Sequence, residues 1–188
     1  MKMKTVALIA TLLSVAAAAR ECPNLSVVQA FDSEKFSGTW YQQGSLSNRF
    51  TRCPKLEFSV RNADSIAIRN MEQDFGQWRT VDGTAVFADP SKDEAKLVET
   101  VESSSGNTTS NVWILATDYD NYAIVFSCQL ESGYPQRSAW IYTRKQILHR
   151  NDQKHIDKLL DKAFEIISSE GGPVKDDFWP AHQYQCPH

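Results

Sequence analysis

From residue 38 to residue 144, apolar side chains come in short runs punctuated by turn residues. The runs are GTWYQQGS, KLEFSV, SIAIRN, RTVDGTAVF, AKLVETV, NVWILAT, YAIVFSCQL and SAWIYTRK. Between them lie Asn62-Ala63-Asp64, Asp89-Pro90, the polar stretch SSSGNTTSN, Asp118-Tyr119-Asp120-Asn121 and Gly133-Tyr134-Pro135. Such residues favour turns because they tolerate or pre-set the dihedrals a turn needs. Eight β-rich runs at fairly regular spacing predict an all-β sandwich or barrel. The period then changes. In NDQKHIDKLLDKAFEIISSEGG, the residues Ile156, Leu159, Leu160, Ala163, Phe164 and Ile167 form a 3.6-residue stripe, which predicts an amphipathic helix. Asn151 or Asp152 suits its start and Gly171-Gly172 its end. Such a helix needs an apolar surface to lie on. NVWILAT offers one, with Val112, Ile114 and Ala116 on one face and Trp113 and Leu115 on the other. One face should look inward and the other should lie under the helix. The tail, FWPAHQYQCPH, shows no period.

The N-terminus carries another pattern. Lys2 and Lys4 precede an apolar run from Val6 to Val15, and Ala17 and Ala19 fit a small-x-small cleavage site. This predicts a secretory signal peptide over residues 1–19, too short at its apolar centre to span a membrane. Residues 20–188 make one domain of ordinary size, with no further segment of membrane-spanning length. The expected location is extracellular. A formal net charge of −3 gives no basic footprint for nucleic acid. Four cysteines lie outside the leader, at positions 22, 53, 128 and 186, and an even count in a secreted chain predicts two disulfides. Spacing leaves three pairings open. Asn24-Leu25-Ser26 and Asn107-Thr108-Thr109 are sequons, which makes Asn24 and Asn107 candidate glycosylation sites.

Three short motifs narrow the fold. Gly38-x-Trp40 opens the first run, Thr117-Asp118-Tyr119 divides the sixth from the seventh, and Arg144 ends the eighth just before the helix. In order and spacing this resembles the lipocalin family. VWILATDYDNYAIVFSC and AWIYTRK look like its apolipoprotein D branch, which includes insect bilin-binding proteins and crustacyanins. The resemblance covers nearly all of the mature chain. It implies an eight-stranded antiparallel up-and-down β-barrel, closed at one end, with one C-terminal α-helix packed outside. It also implies the disulfides Cys22–Cys128 and Cys53–Cys186. The motif residues Gly38, Trp40, Thr117, Asp118, Tyr119 and Arg144 become structural, with Trp40 plugging the closed end under the Arg144 guanidinium.

Alternation along strands then gives a candidate site. If Trp40 points inward, Gln42 and Gly44 should too, and Gly44 would widen the interior. Matching the other runs to the family pattern gives walls of Phe58, Ile68, Val81, Leu97, Val101, Ile114, Val125 and Trp140. Gln42, Asn70, Glu99, Ser127 and Ser138 add polar groups toward the mouth. A mostly apolar wall with few polar groups suits a small hydrophobic ligand. The resemblance implies fatty acids, steroids, retinoids or a pigment such as biliverdin. No cofactor is required, and biliverdin or another chromophore is a candidate bound group. The same residues could instead fill a solid core; Gly44, Gly83, Ala85, Ala123 and Ser127 argue for space.

Mouth loops are expected at residues 45–53, 71–78, 103–110 and 131–137, carrying Phe50, Phe75, Trp78 and Tyr134. They offer a second class of function, protein binding or inhibition through the loops. A homo-oligomer or a receptor is left open as partner. Enzyme chemistry is not expected. His149, His155, His182 and His188 all follow the last barrel run, so no barrel histidine can ligate haem or serve Ser127 or Ser138 as a base. The cysteines are expected in disulfides, and no metal site is expected.

Overall fold

The structure, a computed structural model, describes residues 21–187 except 48, 63, 64, 103, 105 and 147–149. The expected signal peptide therefore lies outside the described residues, as do turn residues 63 and 64 and the side chains of the expected helix caps, Asn151 and Asp152.

Among the described residues, eight antiparallel strands form the barrel. They are β1 (Gly38–Ser45), β2 (Arg52–Asn62), β3 (Ser65–Asp74), β4 (Gln77–Phe87), β5 (Lys96–Val101), β6 (Thr108–Thr117), β7 (Tyr122–Glu131) and β8 (Tyr134–Thr143). Each pairs with its neighbour in sequence, and β1 pairs with both β2 and β8. That closure removes most of the open edge of the sheet, leaving only strand ends unpaired. A short helix α1 (Ser33–Phe36) precedes β1, its first turn capped by the Asp32 carboxylate, which accepts from the Lys35 N–H at 2.9 Å. Helix α2 (Arg150–Ser169) follows β8. It ends at Gly171, whose φ of +80° lets the Gly172 N–H reach back to the Ile167 carbonyl at 3.0 Å.

The strands bury two faces. Inside lie Trp40, Phe58, Ile66, Leu97 and Ile114, with Phe36 from α1. Outside, α2 lays Ile156, Leu160, Ala163, Phe164 and Ile167 against Leu115, Ile124 and Phe126 of β6 and β7. This two-sided burial is why the Val112–Ala116 part of β6 has no polar face. In β6 the alternation breaks: register slips between Ile114 and Ala116 against β7. An extra residue reverses the faces beyond it. Ala116, expected inward, packs with the outer cluster instead.

Two mouth loops are shorter than expected. β3 runs to Asp74 and β4 starts at Gln77; β7 runs to Glu131 and β8 starts at Tyr134. The connections Phe75-Gly76 and Ser132-Gly133 are two-residue turns with positive φ at every position, the geometry that matches strand twist in a hairpin. Much of the segments 71–78 and 131–137 is strand, and Phe75 and Tyr134 stand exposed at the rim.

The tail also differs from expectation. Trp179–Pro180 forms a ninth strand, β9, which pairs with Ser45 and Gly44 of β1. The β1–β2 register ends at Tyr41, so this end of β1 has an edge to offer. The tail fills the gap. Ala181 N–H donates to the Gln43 carbonyl at 2.9 Å and Cys53 N–H to the His182 carbonyl at 2.8 Å. The buried Gln183 amide donates to the Gln42 and Pro54 carbonyls, each at 2.8 Å. Gly44 lies beneath this strap, where a Cβ would come within 3.3 Å of the Trp179 carbonyl. It faces the tail rather than the interior, because the β1–β8 register slips between Gln42 and Gly44. Disulfides Cys22–Cys128 and Cys53–Cys186 tie the N-terminal segment to β7 and the tail to β2.

Candidate functional site: the barrel cavity

The closed end is built around Trp40, which is fully buried. Its indole N–H donates to the Phe36 carbonyl at 2.9 Å. The Arg144 guanidinium sits 3.7 Å from the ring centroid, a cation–π contact. Arg144 also donates to the carbonyls of Tyr119 (2.8 Å), Thr39 (3.3 Å) and Lys35 (2.7 Å), tying three segments together. Gly38 leaves room for it, since a Cβ there would lie 3.2 Å from the guanidinium. The Asp118 carboxylate accepts from the backbone N–H groups of Asn121 (2.8 Å) and Tyr122 (3.1 Å). The Thr117 hydroxyl bonds the Tyr122 carbonyl at 2.7 Å, and the Tyr119 hydroxyl accepts from the Asp32 N–H at 3.1 Å. These bonds fix the β6–β7 turn and the chain entering α1.

Above this plug is a cavity of about 430 Å³. Phe58, Ile68, Leu97, Ile114, Val125 and Trp140 line it, with Gln42, Asn70, Glu99, Ser127 and Ser138 among the polar groups. An adjoining space of about 380 Å³ opens toward the β1–β4 side of the mouth and is lined by Val81. Val101 lines neither of these two spaces; with Val81 it borders an outer groove. The reason is the length of β5. That strand stops at Val101, opposite Gly83, so residues 77–82 of β4 pair only with β3. Val81 is accordingly 42% exposed.

Several lining residues were not expected. Tyr142 is one inward step beyond Trp140 on β8, and the period-two pattern alone points to it. Thr108, Ser110, Gln129, Glu131 and Gln136 continue the inward rows of β6, β7 and β8 toward the mouth. Their polarity makes strand ends read as loop. Phe36 enters from α1, which has no periodicity to reveal it.

A model of the lipocalin / cytosolic fatty-acid binding protein family matches residues 37–163, a span that holds Trp40, Asp118 and Arg144. The chain belongs to the lipocalin family. Apolipoprotein D of Cavia porcellus is 28% identical over 147 residues, 74% of this chain and 75% of that protein. Insecticyanin-A of Manduca sexta is 26% identical over 164 residues, 84% of this chain and 86% of that one. Among solved structures, insecticyanin from the tobacco hornworm superposes with a TM-score of 0.69 at 23% identity, covering 85% of each chain. The likeness in structure is one of fold.

In this lipocalin one charged group of the cavity wall stands out. The Glu99 carboxyl rests on Gly83, where a Cβ would come within 2.7 Å of Oε1. The room that Gly83 leaves is taken up by this carboxyl. Asn70 hydrogen-bonds the group, but Oε1 itself is buried without a partner. Burial pushes the Glu99 pKa above its ordinary 4.5, with the Asn70 bond pulling the other way. Burial, and secondarily the charge of Glu99, push the Tyr142 phenol up. The folded protein therefore holds the Glu99 proton more tightly than the unfolded chain does. Its stabilising effect is complete below pH 4.5 and is lost as pH rises through the raised folded value. Urea unfolding over that interval should show stability falling with pH, and Glu99→Gln should remove that component. An unchanged slope in Glu99→Gln would assign the dependence to other groups.

Proposed function

We propose that this lipocalin is a secreted carrier that takes up one small hydrophobic molecule in its barrel. The cavity carries the reading. At about 430 Å³ it falls in the size range of small-molecule sites, and it combines an apolar floor with convergent polar groups. Burying roughly 300 Å² of apolar ligand surface supplies several kcal/mol at ~25 cal/mol per Å², less the costs of ordering ligand and side chains. Fatty acids, steroids, retinoids and a bilin such as biliverdin share the required apolar body.

The signal-peptide pattern of residues 1–19 supports secretion, as do two disulfides and the exposure of both sequon asparagines, Asn24 and Asn107. No helix among the described residues is long and apolar enough to cross a membrane. The reading is of binding without turnover. The cavity hydroxyls of Ser110, Ser127 and Ser138 have no histidine in the lining to act as base.

Native mass spectrometry of the secreted protein should find the chain with one small molecule bound. Visible absorbance of the loaded protein marks a bilin, and a colourless loaded protein marks a lipid. Ser127, 9% exposed on the cavity wall, supplies a direct check. Ser127→Phe fills the hollow and should reduce uptake of a hydrophobic fluorescent probe more than tenfold, with a cooperative thermal transition retained. Uptake unaffected by this substitution would move binding off the barrel interior.

A further inference from the structure

The interior has two arms of opposite charge. They share Gln42, Asn70, Trp140 and Tyr142. The arm of about 430 Å³ is lined by two acids, Glu99 and Glu131, and by no lysine, arginine or histidine. The arm of about 380 Å³ is lined by Arg49, Lys55, Glu72 and Arg79. Arg49 is paired with Glu72. Lys55 lies over the Trp78 ring at 4.7 Å. Among the described residues, neither Lys55 nor Arg79 forms an ion pair with a carboxylate. The second arm therefore keeps uncompensated positive charge.

The two ends are a defined distance apart. Arg79 is opposite Glu72 on β3 and belongs to the same row of β4 as Val81 and Gly83. It stands four residues from Gly83, on which the Glu99 carboxyl rests. Along a strand that is ~13 Å. An anion placed beside the largely buried Glu99 would meet like charge where water screens it poorly, with the exposed Glu131 adding to it from the rim. A hydroxyl or N–H placed there meets the Glu99 carboxyl among the lining groups. Its unpartnered Oε1 is turned onto Gly83 and closed to the cavity, so the donor reaches that acceptor when the carboxyl rotates off Gly83, and making the bond relieves a desolvation cost.

We propose that the ligand is a bipolar amphiphile, anionic at the end seated by Arg79 and hydrogen-bond-donating at the end seated by Glu99, with an apolar body between. This rests on the carrier reading and narrows it. Hydroxylated fatty acids and linear tetrapyrroles with carboxylates and N–H donors share this chemistry. A plain fatty acid or a plain alkanol has half of it.

The test is displacement of a fluorescent hydrophobic probe by dodecanol, dodecanoic acid, ω-hydroxydodecanoic acid and biliverdin. It is run on the unsubstituted protein, Arg79→Gln and Glu99→Leu. The unsubstituted protein should bind the hydroxy acid, biliverdin or both at least tenfold more tightly than dodecanoic acid or dodecanol. Arg79→Gln should weaken every carboxylate ligand that binds about tenfold and leave dodecanol within twofold. Glu99→Leu should remove the advantage of the bipolar ligand over dodecanoic acid. Dodecanol binding reports that each variant is folded and hollow. Preference for the hydroxy acid identifies a lipid ligand, and preference for biliverdin a tetrapyrrole; either supports the proposal. If dodecanol and dodecanoic acid bind as tightly as both bipolar ligands, or if the preference survives Glu99→Leu, the charge-sorted reading is overturned while the carrier stands. If none of the four competes, the carrier reading itself fails.

Discussion

Trp40→Ala is expected to cost about 3–5 kcal/mol of stability, the range for removing a large buried aromatic. Three losses combine at this position. The indole is 0% exposed, so its removal leaves a void at the base of the barrel. Its N–H is the partner of the Phe36 carbonyl, and its face carries the Arg144 guanidinium at 3.7 Å and the Phe36 ring at 4.8 Å. Burial lowers the Arg144 pKa, and the guanidinium stays charged. Without the indole, the guanidinium keeps its carbonyl bonds but covers an empty space. Equilibrium urea unfolding measures the effect. A loss under about 1 kcal/mol, within the range of an ordinary surface change, would mean that the barrel closes without this plug. Trp40→Phe, which restores most of the volume but not the N–H, should fall between the two.

The strands were legible because each buries at least one face, and burial enforces a period of two. The helix was legible for the matching reason: Ile156, Leu160, Ala163, Phe164 and Ile167 must all reach one surface. What the period could not reveal were its own interruptions. Two register slips, at Gln42/Gly44 in β1 and Ile114/Ala116 in β6, turn Gly44 and Ala116 away from the interior. Each side of a slip still looks like a regular strand, so neither leaves a mark in composition. Both slips serve contacts made by distant segments. Gly44 receives the tail, and Ala116 joins the surface under α2.

The site divides along the same line. Its floor, including Phe58, Ile68, Leu97 and Ile114, is apolar and followed from alternation plus family motifs. Its upper wall is polar, with Thr108, Ser110, Gln129 and Gln136, and polar strand ends near a mouth carry no hydrophobic signal. Glu99 was visible as an inward acid, but its contact with Gly83 was not. Sequence alone suggests that a glycine enlarges a cavity; only the neighbouring strand shows what occupies the room it leaves.

The tail supplies the second large effect. Replacing both Cys53 and Cys186 with serine is expected to cost about 3 kcal/mol and to loosen the strap selectively. The bond closes a segment with a sequence separation of 133, for which chain entropy gives an upper figure near ~5 kcal/mol. The Cys22–Cys128 bond, with a separation of 106, overlaps that segment and already restricts it, which lowers the expected effect. The strap retains its own hydrogen bonds, from Ala181 to Gln43, Cys53 to His182, and Gln183 to Gln42 and Pro54. Each is modest by itself, ~1 kcal/mol net, and all depend on the tail staying against β1 and β2. Without the disulfide the strap becomes a terminal segment that can open on its own, as chain ends do. Amide exchange separates the two consequences: protection at Ala181 should fall to the level of local opening, while protection at Trp40 should track only the global loss measured in urea. Pro54 and Thr51 in the wall of the smaller cavity arm are themselves partners of the strap, their carbonyls accepting from the Gln183 amide and the His182 N–H, so ligands that reach that arm should also dissociate faster. If Ala181 stays as protected as Trp40 in the double-serine protein, backbone pairing holds the strap, and the disulfide contributes only to the unfolded chain.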